Sequence, residues 1–230
     1  MEIITLYADK FSVVIPTMWR HKPFPDFLKK LVEVDAVGEI IIINNDMAAQ
    51  PNDAVLAHPK IILHNFKLNI LVNPAWNYGV GMSLYDNLCI LNDDVDFDLA
   101  AFDFLQTEMK PGRFIVYSQS HSNGSPSSPM GPMTLFKPTE QIYDIGTLMF
   151  IKRQDWVNIP AGLDFFHGDS WLWDTMKYRF DENYIIKNVR YSTPHQVTSS
   201  TITNKEFVYV ERECMIYQSL LRAFKTNYDN

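Results

Sequence analysis

Cysteine is almost missing from this chain. Its 230 residues hold two, Cys89 and Cys214, too few for a disulfide framework and too few to form a zinc site alone, so a reducing compartment is expected. Long apolar runs are missing as well. No segment approaches the roughly 18–20 apolar residues that cross a bilayer, and Met1-Glu2-Ile3-Ile4-Thr5 lacks the basic region and apolar stretch of a signal peptide. The expectation is a soluble, cytoplasmic protein with no membrane partner, anchor or appended domain. Positive charge is scarce too: 20 lysines and arginines face 27 aspartates and glutamates, a formal net charge of −7. Such a field repels phosphate backbones, so tight nucleic-acid binding would need a local basic patch. Arg20, His21 and Lys22 form a short one.

What is present is an ordinary globular composition, 47% apolar and 20% charged, in a chain long enough to bury a proper core. The first half alternates in a βα rhythm. Phe11–Pro16 (FSVVIP) is a β-branched run stopped by a proline, and Phe24–Val34 then carries Phe24, Phe27, Leu28, Leu31 and Val32 at helical spacing. Glu39–Ile43 (EIIII) is predicted as a second strand, Ile61–His64 as a third and Leu88–Leu91 (LCIL) as a fourth, with a helix over Pro74–Met82. Continuous apolar strands alternating with helices imply a mostly parallel α/β sheet covered on both faces. Farther on, Gln119–Pro138 is rich in Ser, Pro and Gly and reads as a long irregular loop. Gly146–Lys152 reads as a strand, Trp156–Phe180 as an aromatic-rich block, and Glu206–Lys225 as a helix patterned through Val210, Met215, Leu220 and Leu221. No repeat or linker divides the chain, so residues 1–230 are expected to form one domain.

Ligands of such sheets bind beyond the carboxyl ends of the strands. Thr17, Asn44, Asn45, Asp46, Asn92, Asp93 and Asp94 collect there. Asn and Asp also favour strand-to-loop turns, so any single end explains itself as a turn; taken together they mark one edge of the sheet. The sharpest signal is Asn92-Asp93-Asp94-Val95-Asp96-Phe97-Asp98. Four carboxylates so close repel one another unless solvent or a cation neutralises them. Mg²⁺ or Mn²⁺ prefers carboxylate oxygen and leaves room for substrate phosphates. A solvated acidic turn is the plainer alternative. A calcium EF-hand loop is excluded, because its central glycine and terminal glutamate are absent.

At this point the chain resembles a family. FSVVIPT at the first strand, EIIIINND at the second and CILNDDVDFD at the fourth are similar to the GT-A glycosyltransferases, closest to the inverting, family-2-like branch. The stretch Asn69–Gly79 resembles the asparagine-rich helix start after that family's third strand. Gly146–Lys152 and the segment from Phe166 to Trp173 resemble its acceptor-side strand and the acidic helix start that supplies the base. The resemblance spans about residues 11–200. It implies a Rossmann-like GT-A fold with a nucleotide-binding half over about 11–100 and an acceptor half over about 101–230. It also implies a nucleotide-sugar donor, with UDP-sugars foremost, and Mn²⁺ or Mg²⁺ as cofactor. Small enzymes of this look occur in bacteria, phages and large DNA viruses.

Roles follow by resemblance, residue by residue. The family's Asp-x-Asp metal motif falls on Asn92-Asp93-Asp94, with Asn in the first place. That makes Asp94 the first metal ligand and Asp93 a ribose or sugar contact, with Asp96 the ligand in the alternative register. His195 is the candidate for the family's C-terminal histidine near the metal, and His167 competes for that role. Pro16, Thr17 and Arg20 after the first strand, Asn45 or Asp46 after the second, and Asn77 on the helix would recognise the nucleotide. A pyrimidine offers amide-like donors and acceptors that such side chains match. Arg20 could instead pair with the diphosphate or stay an exposed charge.

Asp169 is the expected catalytic residue. An acceptor hydroxyl must lose its proton as it attacks the anomeric carbon, and a carboxylate in hydrogen-bond reach takes it. Asp is also a favoured N-cap, so Asp169 is expected to cap a helix over Ser170–Tyr178. Asp174 reads as structural or acceptor-facing. Of Trp76, Trp156, Phe165, Phe166, Trp171 and Trp173, most should be core and one or two could meet an acceptor.

The acceptor is expected to be a glycan. A hydroxymethylated DNA base is the alternative, for which Arg20, Lys22, Lys152, Arg153, Lys177 and Arg179 would have to form one basic face. Two readings of other kinds stay open. One is a sugar-1-phosphate nucleotidyltransferase, although Pro16-Thr17-Met18-Trp19-Arg20 lacks the glycine of a phosphate loop. The other is a sugar- or nucleotide-binding module without turnover.

Overall fold

Strand β1 (Phe11–Thr17) is buried along its whole length and sits between two parallel neighbours, β2 (Val37–Asn44) and β4 (Asn87–Leu91). That position explains its composition: a strand covered on both faces is apolar throughout rather than alternating. Its side chains still part by a period of two. Phe11, Val13 and Ile15 enter one core, and Val14 enters the other.

The computed structural model describes residues 9–118, 131–193 and 204–229, with side chains in the last segment from residue 210. β3 (Ile61–Asn65) pairs with β2, and β4 pairs antiparallel with β8 (Leu148–Lys152). Beyond β8 lie β6 (Phe114–Val116), β9 (Asn183–Lys187) and the edge strand β7 (Thr134–Phe136). The sheet order is β3-β2-β1-β4-β8-β6-β9-β7. Pairing directions make β1, β2, β3, β4, β6 and β9 run one way, with β8 and β7 reversed. A mostly parallel α/β sheet is therefore observed. A separate ribbon joins β5 (Asp96–Phe97) to β10 (Tyr191–Ser192).

Helices cover both faces. α1 (Phe24–Leu31) and α3 (Ala101–Glu108) place Phe24, Phe27, Leu28, Phe102 and Leu105 in the first core. α2 (Val72–Met82) and α4 (Gly168–Phe180) place Ala75, Trp76, Val80, Leu172 and Met176 in the second. α5 (Asn204–Tyr228) closes over that second core with Ile216, Tyr217, Leu220, Leu221 and Phe224. Met215, expected on its inner face, is 67% exposed, because the buried stripe runs through its neighbours 216 and 217. Among the described residues no helix is long and apolar enough to cross a membrane. Both cysteines are free.

The long loop expected over Gln119–Pro138 is interrupted by β7, which uses Thr134–Phe136 to pair antiparallel with β9. Residues 119–130 lie outside the described residues.

Candidate active site

The carboxyl ends of β1, β2 and β4 meet at one edge. There the chain leaves the sheet through side chains that bind one another. Thr17 Oγ1 accepts from Trp19 N at 2.8 Å and donates to Asp93 Oδ2 at 2.5 Å, tying the end of β1 to the end of β4. Asn44 works across three strands: its Oδ1 accepts from Trp19 Nε1 (2.9 Å) and Asp46 N (3.0 Å), and its Nδ2 donates to Asn65 Oδ1 (2.7 Å) and Gln50 Oε1 (2.9 Å). Asn45 Oδ1 accepts from Ile70 N at 3.2 Å, and Asn69 Oδ1 from Leu71 N at 2.8 Å. The approach to α2 is thereby fixed, with Leu71 held at φ 68°.

A cavity of about 150 Å³ opens over this edge. Pro16, Thr17, Arg20, Asn45, Asp93 and Asp94 all line it, so six of the expected nucleotide and metal residues come together. Arg20 is exposed at this mouth. Burial pushes the Asp93 carboxyl above its ordinary value, against the opposing pull of the Thr17 hydrogen bond and the nearby His21.

A second cavity, about 640 Å³, adjoins the first and shares Val72, Asn92, Asp94 and Phe165 with it. Asp169 lines this one alone. It sits in the first turn of α4, where Oδ1 accepts from Ser170 N at 2.8 Å. The N-cap is His167 instead, in the left-handed region at φ 58°. The helix begins earlier than Ser170, so Asp169 does not cap it; its carboxylate lines the cavity from within the first helical turn, with Oδ1 on the Ser170 amide and Oδ2 beside Gly146. Burial raises the Asp169 carboxyl above its ordinary value; the Ser170 amide and His167 oppose that shift. Gly146 backs this carboxylate closely.

Tyr117 and Tyr191 also line the larger cavity, their rings stacked 3.7 Å apart at 19°. Tyr191 donates to Thr147 Oγ1 at 2.6 Å. Burial drives its hydroxyl pKa upward, against the pull of the Thr147 hydrogen bond and with the help of the nearby Asp94 charge. Phe165, Phe166 and Trp76 contribute aromatic surface to the cavity, whereas Trp171 and Trp173 belong to the core.

Three expected site residues are not brought together with the rest, and a fourth falls outside the described residues. Asp96 lies in the β5–β10 ribbon, bonded to Arg190 Nη1 at 3.2 Å and outside both cavities. Asp46 caps the 3₁₀ turn Met47–Ala49, accepting from Ala48 N and Ala49 N. Asn77 faces the 156–159 loop: it donates to Ile159 O at 2.8 Å and accepts from Ile159 N at 3.0 Å and Trp156 Nε1 at 3.2 Å. Its amide is used up in packing. His195 lies outside the described residues.

The donor set bears on the cation. Among the described residues no group of three His, Cys, Asp or Glu side chains is arranged to hold a metal ion. Asp94 is the carboxylate of the acidic cluster on the wall common to both cavities, and its neighbour Asp93 accepts from Thr17 in the smaller one. One or two protein carboxylates suit Mg²⁺ or Mn²⁺ carried in with substrate phosphates, and do not make a closed cage. The basic residues invoked for DNA do not form one face. Lys152 pairs with Asn87 at the start of β4 and Arg153 donates to Ser83 O at 2.6 Å, at the opposite edge of the sheet from Arg20.

Several lining residues escape a reading of the sequence. Asn73, Asp144 and Thr147 stand in the larger cavity, and Asn69 and His21 in the smaller. Asp144 carries one usable mark, a left-handed backbone (φ 57°) two residues before a glycine, which the sequence shows only as Asp-Ile-Gly.

No protein-family model matches the chain, and no curated protein sequence does. Solved structures do match, at low identity. S. aureus TarS 1–349 in complex with UDP-GlcNAc matches with a TM-score of 0.61 at 12% identity, over 94% of this chain and 66% of that one. The mannosyltransferase PcManGT from Pyrobaculum calidifontis, in complex with GDP-Man and Mn²⁺, gives 0.55 at 12% identity, over 83% and 59%. A nucleotidyl transferase from Methanothermobacter thermautotroptrophicus gives 0.55 at 12% identity, over 78% and 87%. In two further TarS structures the match spans 60% of that chain. Sheet order, helical layers and these matches agree on one architecture: the chain has a GT-A-like glycosyltransferase fold.

Proposed function

We propose that this protein transfers a sugar from a nucleotide-sugar donor, a UDP-sugar foremost, to a hydroxyl of a glycan acceptor with inversion at the anomeric carbon. One observation carries the reading: Asp94 lines both cavities, while Asp169 lines only the larger one. The smaller cavity then takes the nucleoside, the common wall the diphosphate, and the larger cavity the sugar and the acceptor. Residues 11–100 supply most of the nucleotide side, and residues 101–230 most of the acceptor side, with Phe165 reaching across.

Pro16, Thr17, Arg20, Asn45 and Asp93 hold the nucleotide, with Arg20 placed at the mouth to meet the diphosphate. Asp94 would hold Mn²⁺ or Mg²⁺, which supplies positive charge to the departing diphosphate. The Asp169 carboxylate accepts the proton of the acceptor hydroxyl as that oxygen bonds to the anomeric carbon. The bond from that carbon to the diphosphate oxygen breaks in the same displacement, and the nucleoside diphosphate leaves with the electron pair. Its raised pKa makes Asp169 a stronger base than an exposed carboxylate, which favours proton transfer.

The likeness to a nucleotidyl transferase, over 87% of its chain, favours a second reading. Both are tested together by incubating the protein with Mn²⁺ and a panel of nucleotide sugars, or with nucleoside triphosphates and sugar 1-phosphates. Release of nucleoside diphosphate from the first panel supports transfer. Release of pyrophosphate from the second, with none from the first, replaces it. Binding in both panels without turnover leaves a binding module.

A further inference from the structure

Residues 163–166, inside the aromatic-rich block, lead into α4 without regular structure, yet their backbone is gripped from two sides. On one side Asn73 of α2 donates through Nδ2 to Leu163 O and Phe166 O, both at 3.0 Å, and its own N–H reaches Asp164 O at 3.2 Å. On the other, the Glu213 carboxylate of α5 accepts from Phe166 N at 2.7 Å through Oε2 and from Phe165 N at 3.3 Å through both oxygens. Glu213 is 3% exposed, an unusual place for a lone carboxylate on a C-terminal helix. One turn later on the same helix, Tyr217 stacks on His167 (5.1 Å, 10°) and donates to Asp174.

The segment so held is the wall of the site. Phe165 lines both cavities, Phe166 and His167 line the larger, and Asp169 follows at the start of α4. We propose that Glu213 is a positioning residue: by collecting the Phe165 and Phe166 amides it fixes the partition between the nucleotide side and the sugar side, and with it the placement of Asp169. The C-terminal helix is then part of the reaction apparatus and not only a cover for the core. The proposal rests on the transfer reading of this same site.

The chemistry specifies a carboxylate. Two N–H groups converge on a side chain with two acceptor oxygens, and hydrogen bonds to an ionised acceptor are stronger than neutral ones. Glutamine has almost the same size but a single, neutral acceptor: its carbonyl oxygen in the Oε2 position meets both amides with weaker bonds, and its NH₂ in the Oε1 position confronts the Phe165 N–H. Aspartate is one methylene shorter but keeps both acceptors. A packing role therefore tolerates glutamine and suffers from aspartate, whereas a positioning role through the carboxylate ranks the two the other way.

The test compares wild type, Glu213→Gln and Glu213→Asp in the full chain, reading nucleotide-sugar turnover with Mn²⁺, UDP affinity, and hydrogen exchange of the Phe165 and Phe166 amides. Glu213→Gln is expected to speed exchange at these two amides about tenfold or more. Its kcat should fall about 100-fold, with UDP affinity changed less than about threefold because its other contacts remain. Glu213→Asp should recover part of that kcat. Unchanged exchange in Glu213→Gln, full turnover despite faster exchange, or a better kcat for glutamine than for aspartate would each overturn the proposal. Should wild type consume no nucleotide sugar, the transfer reading fails by itself. Exchange then decides alone: a rise confined to residues 163–169 upholds Glu213 as holder of this wall, and no rise rejects it.

Discussion

Gly146 stands directly against Asp169: a Cβ built at 146 would lie 3.1 Å from Asp169 Oδ2 and 3.2 Å from its Cβ and Cγ. The backbone just before β8 thus forms one side of the slot that holds the carboxylate, and the absence of a side chain there sets how deep the carboxylate sits. Gly146→Ala should move Asp169 by a few tenths of an ångström while the sheet stays intact. Turnover should fall about 10- to 100-fold, with a stability loss of about 1–3 kcal/mol. Kinetics beside a urea denaturation curve separate the two effects, and unchanged kcat would show that the slot does not tune the base.

Asp169→Asn carries two expectations of opposite sign. Turnover should fall about 100- to 10,000-fold, while UDP affinity holds, since Asp169 does not line the smaller cavity. Stability at neutral pH should rise. The Asp169 pKa is raised in the folded state above its ordinary 3.8, so the native protein binds that proton more tightly than the unfolded chain does. Stability therefore falls as pH climbs from about 3.8 through the folded value, and the ionised group is a cost above that window. The amide removes the cost, and each kcal/mol recovered lifts the melting temperature by about 2–4 °C. Below the window the two proteins should melt alike. The acid limb of the rate profile should also lie above the usual carboxylate range in wild type.

What the sequence reveals follows from burial. β1, β2 and β4 are legible because a strand covered on both faces must be an unbroken apolar run. The residues at their ends are legible because polar groups cluster where those runs stop. β5, β6, β7 and β10 are two or three residues each, too short to show a period, and their pairing is decided by distant segments. The same cause hides Glu213. A single glutamate in a helical pattern reads as solvated, and its burial exists only because the 163–166 segment passes beneath it. Asn73 and Asn77, one turn apart on α2, show the limit most clearly. Resemblance points to Asn77, yet Asn73 lines the cavity and Asn77 is bonded into a loop.

Asp94 and Asp96 separate cleanly in a metal titration. Asp94 lies on the wall shared by both cavities, while Asp96 is bonded to Arg190 outside them. With the UDP–Mn²⁺ complex, taken as one ligand, at about 100 times its dissociation constant, wild type should gain about 2.7 kcal/mol of stability. Asp94→Ala should lose the Mn²⁺-dependent part of that gain, and Asp96→Ala should keep it. A thermal-shift series with and without the metal reads this directly. The reverse pattern would move the ligand to the other register of the acidic cluster.

Asn77→Ala should damage the fold and spare the ligand. Three hydrogen bonds converge on this amide, two with Ile159 and one from Trp156 Nε1, and together they pin the 156–159 loop onto α2. Alanine leaves the Ile159 N–H and carbonyl without their partner in a part-buried setting. A loss of about 1–3 kcal/mol is expected, or a melting temperature lower by about 2–4 °C per kcal/mol. Because Asn77 lines neither cavity, UDP affinity should change less than about twofold. A calorimetric titration beside a melting curve distinguishes this from a nucleotide contact, for which the affinity would fall while the melting temperature of the unliganded protein stayed put.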